Sequence, residues 1–525
     1  MNENINDFVE KYEDFNKTIM KQDEGRKFPI FNKRFREYNP DQILFYTFNP
    51  GETFPEGSFE RFVVDIIKNI DIADFAKRTT YDLGGPDEYN PRSMLAIIFY
   101  GESEGIFSSR NLSKLCVSDQ RYIYVSGNET PEHSTISRFI NEYGKEIEEI
   151  FIKVLYIADN QGYIEYEKFV TDGSKFKANA SRKFTGTVED FRKREKTLKE
   201  KISLAVEKQK QTDKEEEKAY WKNKEERYKE DMEKIGDFLK DAKPMYNALN
   251  EEMKQNITDR DCRVMRMNNS GYSEGYNAQI TTCEKNGIII SSEVTNNGND
   301  KGLLQDMIEK TEKNIPEGKK AKAREGAYIF DAGYNTVDNL IYCEKNSINA
   351  YIADEQDKKI YYEKTEDYSK KKKIGSRDCK IELINDEVKV SCPGGENLIL
   401  LAKRKDKDKY NYFYKIENQT GCEKCKYKTK CIKEEDKPKI FSIRNTIIDN
   451  YKTVKAMHDK IRTDQGRMIY SRRMPTVEKI FGHIKKNLRF ERFAVIGLKK
   501  VRTRWTIICL VYNLKRIYNL GVQSN

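Results

Sequence analysis

Residues 163–174 read YIEYEKFVTDGS. This apolar–polar run has the composition of a strand, and it ends at Asp172 beside Gly173. A strand-end carboxylate next to a glycine-containing turn is open to solvent and to a cation. Residues 327–334, AYIFDAGY, repeat the device: Tyr328, Ile329 and Phe330 have the character of a buried strand, and Asp331 closes it. A carboxylate there is costly unless a metal or another cation compensates it. A third acid, Glu478, lies in RRMPTVEKIFGHIKKN at 472–487. Val477, Ile480, Phe481 and Ile484 form one apolar stripe of a helix, and Lys485, two turns after Glu478, shares the glutamate's face. Together the three acids offer hard oxygen ligands. Mg²⁺ held by one or two carboxylates keeps room for water and a phosphate, so these residue types suit phosphodiester chemistry.

The charge distribution points the same way. The 525-residue chain has a formal net charge of +10. Residues 461–504 alone carry 13 Lys/Arg against 3 Asp/Glu, a surplus equal to that of the whole chain, and Glu478 lies among them. A basic concentration around candidate metal ligands fits a polyanionic substrate; the plain alternative is a solvated helix pair with spare lysines. The apolar run TIICLVYNL at 506–514 falls short of the ~18 residues that span a bilayer. The start, MNENINDFVEKYEDF, has neither the cationic nor the apolar part of a secretory signal. A cytoplasmic, reducing location is therefore expected, with the ten cysteines as free thiols or metal ligands.

Residues 1–157 read as mostly helical. In TPEHSTISRFINEYGKEIEEIF, Thr130 is a suitable N-cap and Pro131 a suitable first helical residue, which would present Ser134, Thr135 and Arg138 near a helix start. Such a start suits groove recognition of DNA, while Ile136, Phe139 and Ile140 would serve plain packing. From about Gly162 the pattern becomes strand, long helices, then YNAQITTC and GIIISSEVT as a hairpin, a helix, AYIFDAGY, a helix and AYIAD. Residues 189–242, rich in Lys and Glu, read as two long helices of coiled-coil character inserted into this order. Residues 355–440 read as a small β-rich, cysteine-containing insertion.

TDGSKFKANAS (171–181), GYNAQ (275–279), FDAGY (330–334) and VEKIFGHIKKN (477–487) closely resemble motifs of bacterial insertion-sequence DDE transposases. PRSMLAIIFYGESEGIFSSRNLSKLC (91–116) with TPEHSTISRF (130–139) resembles the helical domain that precedes catalysis in one large branch of them. The resemblance runs from about Pro91 to Leu514. It implies an α+β/α/β multidomain chain, with a helical DNA-end-binding domain over 1–157 and a ribonuclease H-like DDE domain over 162–520. It implies Mg²⁺ or Mn²⁺ held by Asp172, Asp331 and Glu478, two ions ~4 Å apart, for DNA cleavage and 3′-OH transfer. Related transposases place a Tyr and an Arg before the Glu and a Lys seven residues after it. Lys485 fits that spacing, whereas Tyr470 and Arg473 each stand one residue further from Glu478 than the pattern requires. Arg138, Tyr470, Arg472, Arg473, Lys485, Lys486 and Arg489 are the expected DNA contacts. Element ends and target DNA are the expected partners, with a homodimer on DNA, no membrane, and a place at the bacterial nucleoid. Two other readings keep the same residues: a nuclease without strand transfer, and a retired transposase that only binds DNA.

Three further features carry expectations. Asp300, in NNGND, reads as the N-cap of the next helix and ranks behind Asp331 as second acid. Cys422, Cys425 and Cys431, in C-x2-C-x5-C, with the distant Cys392, could close a tetrahedral structural Zn²⁺ site or remain unligated. The C-terminal GLKKVRTRWTIICLVYNLKRI reads as a core helix whose basic ends face DNA, and His483 as a surface or packing residue.

Overall fold

The computed structural model describes residues 49–76, 88–247, 250–267, 271–354, 373–385, 387–406, 409–417, 420–432 and 439–524. The chain divides into two compact units, Met1–Thr53 and Phe54–Asn525. Of the first, only 49–53 are described, including one helical turn, Pro50–Thr53. The helical expectation for 1–48 and the insertion boundary near 355 fall outside the described residues.

The second unit begins with helices Phe59–Asn69 (α1), Pro91–Ser103 (α2), Ser109–Ser118 (α3), Gln120–Ser126 (α4), His133–Glu142 (α5) and Gly144–Asn160 (α6). Local chemistry sets their starts. Asn90 accepts from the Arg92 amide with Pro91 in the first turn of α2, and Ser108 and Asp119 cap α3 and α4 in the same way. Gly127 closes α4 at φ 66, in the left-handed region. The start expected for α5 is displaced. Thr130 and Pro131 precede the helix, because the first amides to turn inward, Thr135 and Ile136, both bond Glu132 O, and the Thr130 carbonyl is taken by the Tyr89 hydroxyl.

The main sheet contains β1 (Lys168–Lys177), β4 (Arg263–Met267), β5 (Gly271–Cys283), β6 (Ile289–Thr295), β7 (Ala327–Phe330) and β8 (Ala350–Ile352); β2 (Thr185–Gly186) and β3 (Gln255–Asn256) pair separately. Its order is β4–β5–β1–β7–β8, with β6 on the same edge of β5 as β4. β5 runs antiparallel to β1, β4 and β6, whereas β7 runs parallel to β1 and β8 parallel to β7. Helix Leu304–Asn314 links β6 towards β7, and Val337–Lys345 links β7 to β8.

Between β1 and β4, helices Val188–Gln211 and Glu215–Asp241 pair as an antiparallel hairpin around Phe184, Phe191, Ile235 and Phe238. A reciprocal capping box, Thr187 with Asp190, starts the first of them. After β8 comes a second, antiparallel sheet in the order β13–β12–β11–β10–β9, formed by Lys380–Ile384 (β9), Glu387–Ser391 (β10), Asn397–Asp406 (β11), Lys409–Ile416 (β12) and Ile440–Arg444 (β13). It has its own apolar cluster, including Val390, Tyr414 and Phe441.

Helices Tyr451–Arg462 (α7), Asp464–Ser471 (α8), Arg473–Gly482 (α9) and Leu498–Ser524 (α10) end the chain. α10 packs on β6 and on α2 and α6, so one apolar core runs from Val63 to Ile517. Several of its basic groups have partners within the protein. Arg504 pairs with fully buried Glu102, Arg502 bonds Glu293 and Val294 O, Lys515 bonds Ser103 O, and Arg516 bonds Asn286 O. Lys499, Lys500 and Arg502 stay exposed. A charge beside a buried sheet edge is spent on nearby acceptors before it can serve an outside ligand.

Asn513, fully buried, donates to Ile289 O and accepts from Ile289 N, both at 2.8 Å. Its amide thus takes the place of a neighbouring strand at the outer edge of β6. Asn513→Leu orphans both backbone groups and should cost about 2–3 kcal/mol, read as a lower denaturation midpoint in urea. An unchanged midpoint would mean that water or a shifted strand satisfies Ile289.

Candidate active site

β1 pairs with β7 from Lys168↔Ala327 to Thr171↔Phe330. β7 stops there, so Asp172 and Asp331 follow the last paired residues of two adjacent parallel strands, at the same level. This is the carboxyl end of the parallel pair, where open α/β sheets hold their ligands. Asp172 does not end its strand, as the sequence suggested: β1 continues to Lys177 against β5. What ends at Thr171 is the partner on the other side, and that frees the Asp172 side chain.

Arg473, at the start of α9 and 8 % exposed, bridges the two acids. Its Nη1 donates to Asp172 Oδ2 at 2.8 Å, and its Nη2 lies 3.3 Å from Asp331 Oδ1. Tyr470 is buried with its ring 6.0 Å from the guanidinium; burial pushes its hydroxyl up to about 12. Although each stands one residue further from Glu478 than the related spacing, both side chains reach the acids' surroundings. Burial pushes the Asp172 carboxyl from 3.8 up to about 6; Arg473 opposes this, and Asp331 and Asp300 add to it.

The other side of β1 explains Gly173. A Cβ there would collide with the Gln279 amide and meet Asn277 Oδ1, so glycine is required by close approach rather than by a turn. Gln279 Nε2 and Asn277 Nδ2 both donate to Asp300 Oδ1, at 2.8 and 2.7 Å, and the buried Tyr334 hydroxyl donates to Gln279 Oε1. Asp300 is therefore not a helix cap: the following helix starts at Leu304 behind Leu303. The overlooked signal was GYNAQ, with two amide side chains at i and i+2 on one face of a buried strand, which need an acceptor.

The remaining candidates divide. Glu478 is exposed on α9, with no hydrogen-bond or ion-pair partner among the described residues. A π-turn, His483–Asn487, follows α9 and contains Lys485, which is half-buried where Glu478 is exposed. Lys485 donates to Ser174 Oγ at 2.6 Å and lies 4.9 Å from the Phe176 ring centre, and burial lowers its pKa. Lys486, Arg489 and Arg472 are exposed. Arg489 sits at φ 57, and Phe490 N bonds back to Ile484 O, a helix-ending turn that usually takes glycine. His483 packs edge-on against Tyr512. Among the described residues, no three His, Cys, Asp or Glu side chains converge closely enough to hold a metal as they stand.

Far along the chain, Arg138 is exposed on α5 beside Ser134 and Ser137, while Ile136, Phe139 and Ile140 face inward. An open groove of about 650 Å³ lies there, lined by residues including Ser109, Arg110, His133 and Arg138. Cys392, Cys422, Cys425 and Cys431 line one small cavity beside the second sheet, and burial raises the pKa of the Cys422 and Cys431 thiols.

Two family models match the chain. Residues 391–518 match one described as a transposase DDE domain, and residues 48–142 match one described as a transposase domain (DUF772). Together they support an insertion-sequence DDE transposase. No curated protein matches the chain. The first match includes Glu478, Arg473 and Lys485, the second includes Arg138, and Asp172 and Asp331 lie between them. A DDE transposase acts on DNA and depends on a divalent metal, usually Mg²⁺ or Mn²⁺. Among the described residues of this transposase, no helix is long and apolar enough to cross a membrane.

The displaced Asp172 carboxyl gives a pH test. Its folded value, about 6, stands above the ordinary 3.8, so the folded state keeps a proton that the unfolded chain has released between those values. The contribution of Asp172 to the stability of the metal-free protein therefore falls across that window and levels off above about pH 6. The stability gain of Asp172→Asn over wild type should grow from about pH 4 to about pH 6 and then stay constant, in thermal melts with chelator. An offset independent of pH would mean that Asp172 titrates normally.

Proposed function

We propose that this transposase cuts DNA at its element's ends with a metal site built on a ribonuclease H-like sheet, and joins the 3′-OH to target DNA. The observation that carries this reading is the placement of Asp172 and Asp331 side by side just past the carboxyl end of the parallel β1–β7 pairing, with β5 antiparallel on the far side of β1. The β1–β5–β6–helix–β7–helix–β8 order fits a ribonuclease H-like core interrupted by the helical hairpin before β4 and by the second sheet after β8. On this reading residues 1–157 form the end-binding part and 162–520 the catalytic part.

The residues fit a divalent cation. Asp172 and Asp331 are hard oxygen donors compensated by one guanidinium, whose Nε is buried with no hydrogen-bond partner among the described residues. Gly333 keeps the space beside them clear: a Cβ there would lie 3.3 Å from Asp300 Oδ2 and 4.0 Å from Asp331 Oδ2. When bound, the metal supplies Lewis-acid activation of water and of the scissile phosphate. Asp172 and Asp331 would hold it, and Glu478 would close on it from α9. Arg473, released from the two aspartates, and Lys485 would orient phosphate oxygens, with Tyr470 backing the guanidinium. Lys486, Arg489 and Arg472 would track the DNA backbone and make binding fall with salt. Arg138, at the α5 groove, would read the element end, and two copies would pair two ends.

For the cysteines we infer one structural Zn²⁺ at Cys392, Cys422, Cys425 and Cys431, supported by their common cavity and soft-donor chemistry. Chelator-washed protein should retain about one zinc per chain and lose it in Cys425→Ser; zinc-free wild type would remove the site.

Asp172→Asn, Asp331→Asn and Glu478→Gln should each lower cleavage of DNA carrying the element end at least 10³-fold, since each removes a metal-bound carboxylate. Binding in a gel-shift assay should change less than about threefold, because the basic surface is untouched. Near-normal cleavage in any one of them would remove that residue from the site.

A further inference from the structure

Asp300 sits on the loop after β6, on the opposite side of β1 from Arg473, yet its charge is felt at Asp172. Two amides, from Asn277 and Gln279, fasten the same oxygen, Oδ1, and both amide side chains stand on the buried strand β5. Gln279 is itself oriented by Tyr334, and its backbone oxygen accepts from the Trp505 indole at 3.1 Å. The aspartate is thus held by a chain of buried groups, none of which uses Oδ2. That second oxygen lies towards the clear space at Gly333, which it shares with Asp331 Oδ2. A side chain at position 333 would crowd that oxygen, and since the φ of Gly333 is not in the left-handed region, close approach and not backbone conformation accounts for the glycine.

We propose that Asp300 is a further metal-facing carboxylate of this site, closing it from the β5 side while Glu478 closes it from α9. The proposal rests on the metal-dependent reading above. It accounts for three features at once: the paired amides of GYNAQ, the close approach at Gly173 that lets Gln279 reach across, and the clearance at Gly333. Asp172 and Asp331 then share their cation with acids from both faces of the sheet. An exposed Glu478 on a mobile side chain need not be the only third ligand, because Asp300 is already fastened.

The test uses full-length chain and Mn²⁺ as probe, with bound metal counted by electron paramagnetic resonance and affinity taken from titration. Asp300→Asn keeps an acceptor for both amides and should melt like wild type. It should bind Mn²⁺ at least tenfold more weakly, or bind one ion fewer. Gly333→Ala, which leaves Asp300 and its amides in place, should weaken Mn²⁺ binding in the same direction. Asp300→Asn that binds Mn²⁺ with wild-type affinity and stoichiometry overturns the proposal. A lowered melting temperature with unchanged Mn²⁺ binding per folded molecule also overturns it, assigning Asp300 to structure alone. Wild-type protein that neither binds Mn²⁺ nor cleaves end DNA overturns the metal-dependent reading itself, a result distinct from either of these.

Discussion

The buried helix α10 is the constraint on which the rest of the molecule leans. Among the polar groups that it carries into an apolar core, Arg504 is matched by Glu102 of α2, Asn513 by both backbone groups of Ile289, and the Trp505 indole by the Gln279 carbonyl. An unmatched group at any of these points would cost roughly 1–3 kcal/mol or more. The matches therefore fix how α10 sits against the N-terminal helices and the sheet together. Because Gln279 belongs to β5 and its side chain holds Asp300, the same contact that anchors the helix also sets the floor of the candidate site. Breaking a buried pair such as Arg504–Glu102 would leave an uncompensated charge rather than merely remove an attraction.

Charge at the site is unbalanced by construction. Asp172 and Asp331 share one buried guanidinium, with Asp300 nearby across β1, and burial weakens the screening that water would give. Arg473 answers part of that charge from the first turn of α9. A guanidinium lying between two carboxylates keeps them close without a metal and still leaves a net negative charge to attract one. On the proposed reading, exchange of partners follows from simple electrostatics: a divalent ion outcompetes a monovalent one for the two acids, and the freed arginine finds the incoming phosphates.

Much of this was legible in the sequence, for a physical reason. Strand residues before Asp172 and Asp331 advertise themselves by composition, and parallel pairing of their strands brings the acids level with no further information. The hairpin 188–241, the β5–β6 turn at Gly287 and the strands β9–β12 follow from period and from turn residues in the same local way. What stayed hidden depends on contacts between distant segments. Asp300 looks like a helix cap because Asp before a helix usually is one, and only the β5 amides show otherwise. Gly173 looks like a turn residue because Asp-Gly usually is one, and only Gln279 crossing the strand shows the need for close approach. The π-turn at His483–Asn487, which contains Lys485, leaves no clear mark in composition.

The basic segment 461–504 shows why a charge count overstates a binding surface. Its surplus matches that of the whole chain, but Arg473 is spent on two aspartates, Arg504 on Glu102, Arg502 on Glu293, and Lys485 on Ser174 and Phe176. The exposed cations of the segment are Arg467, Arg472, Lys479, Lys486, Arg489, Arg492, Lys499, Lys500 and Arg502, of which Arg472 and Arg502 also face Glu284 and Glu293. Of these, Arg489 holds a left-handed backbone where glycine would be easier, a strain of roughly 1–2 kcal/mol. Residues are kept in such positions when the side chain is worth more than the strain. On the proposed reading, a DNA phosphate is the partner that the exposed Arg489 guanidinium would bind.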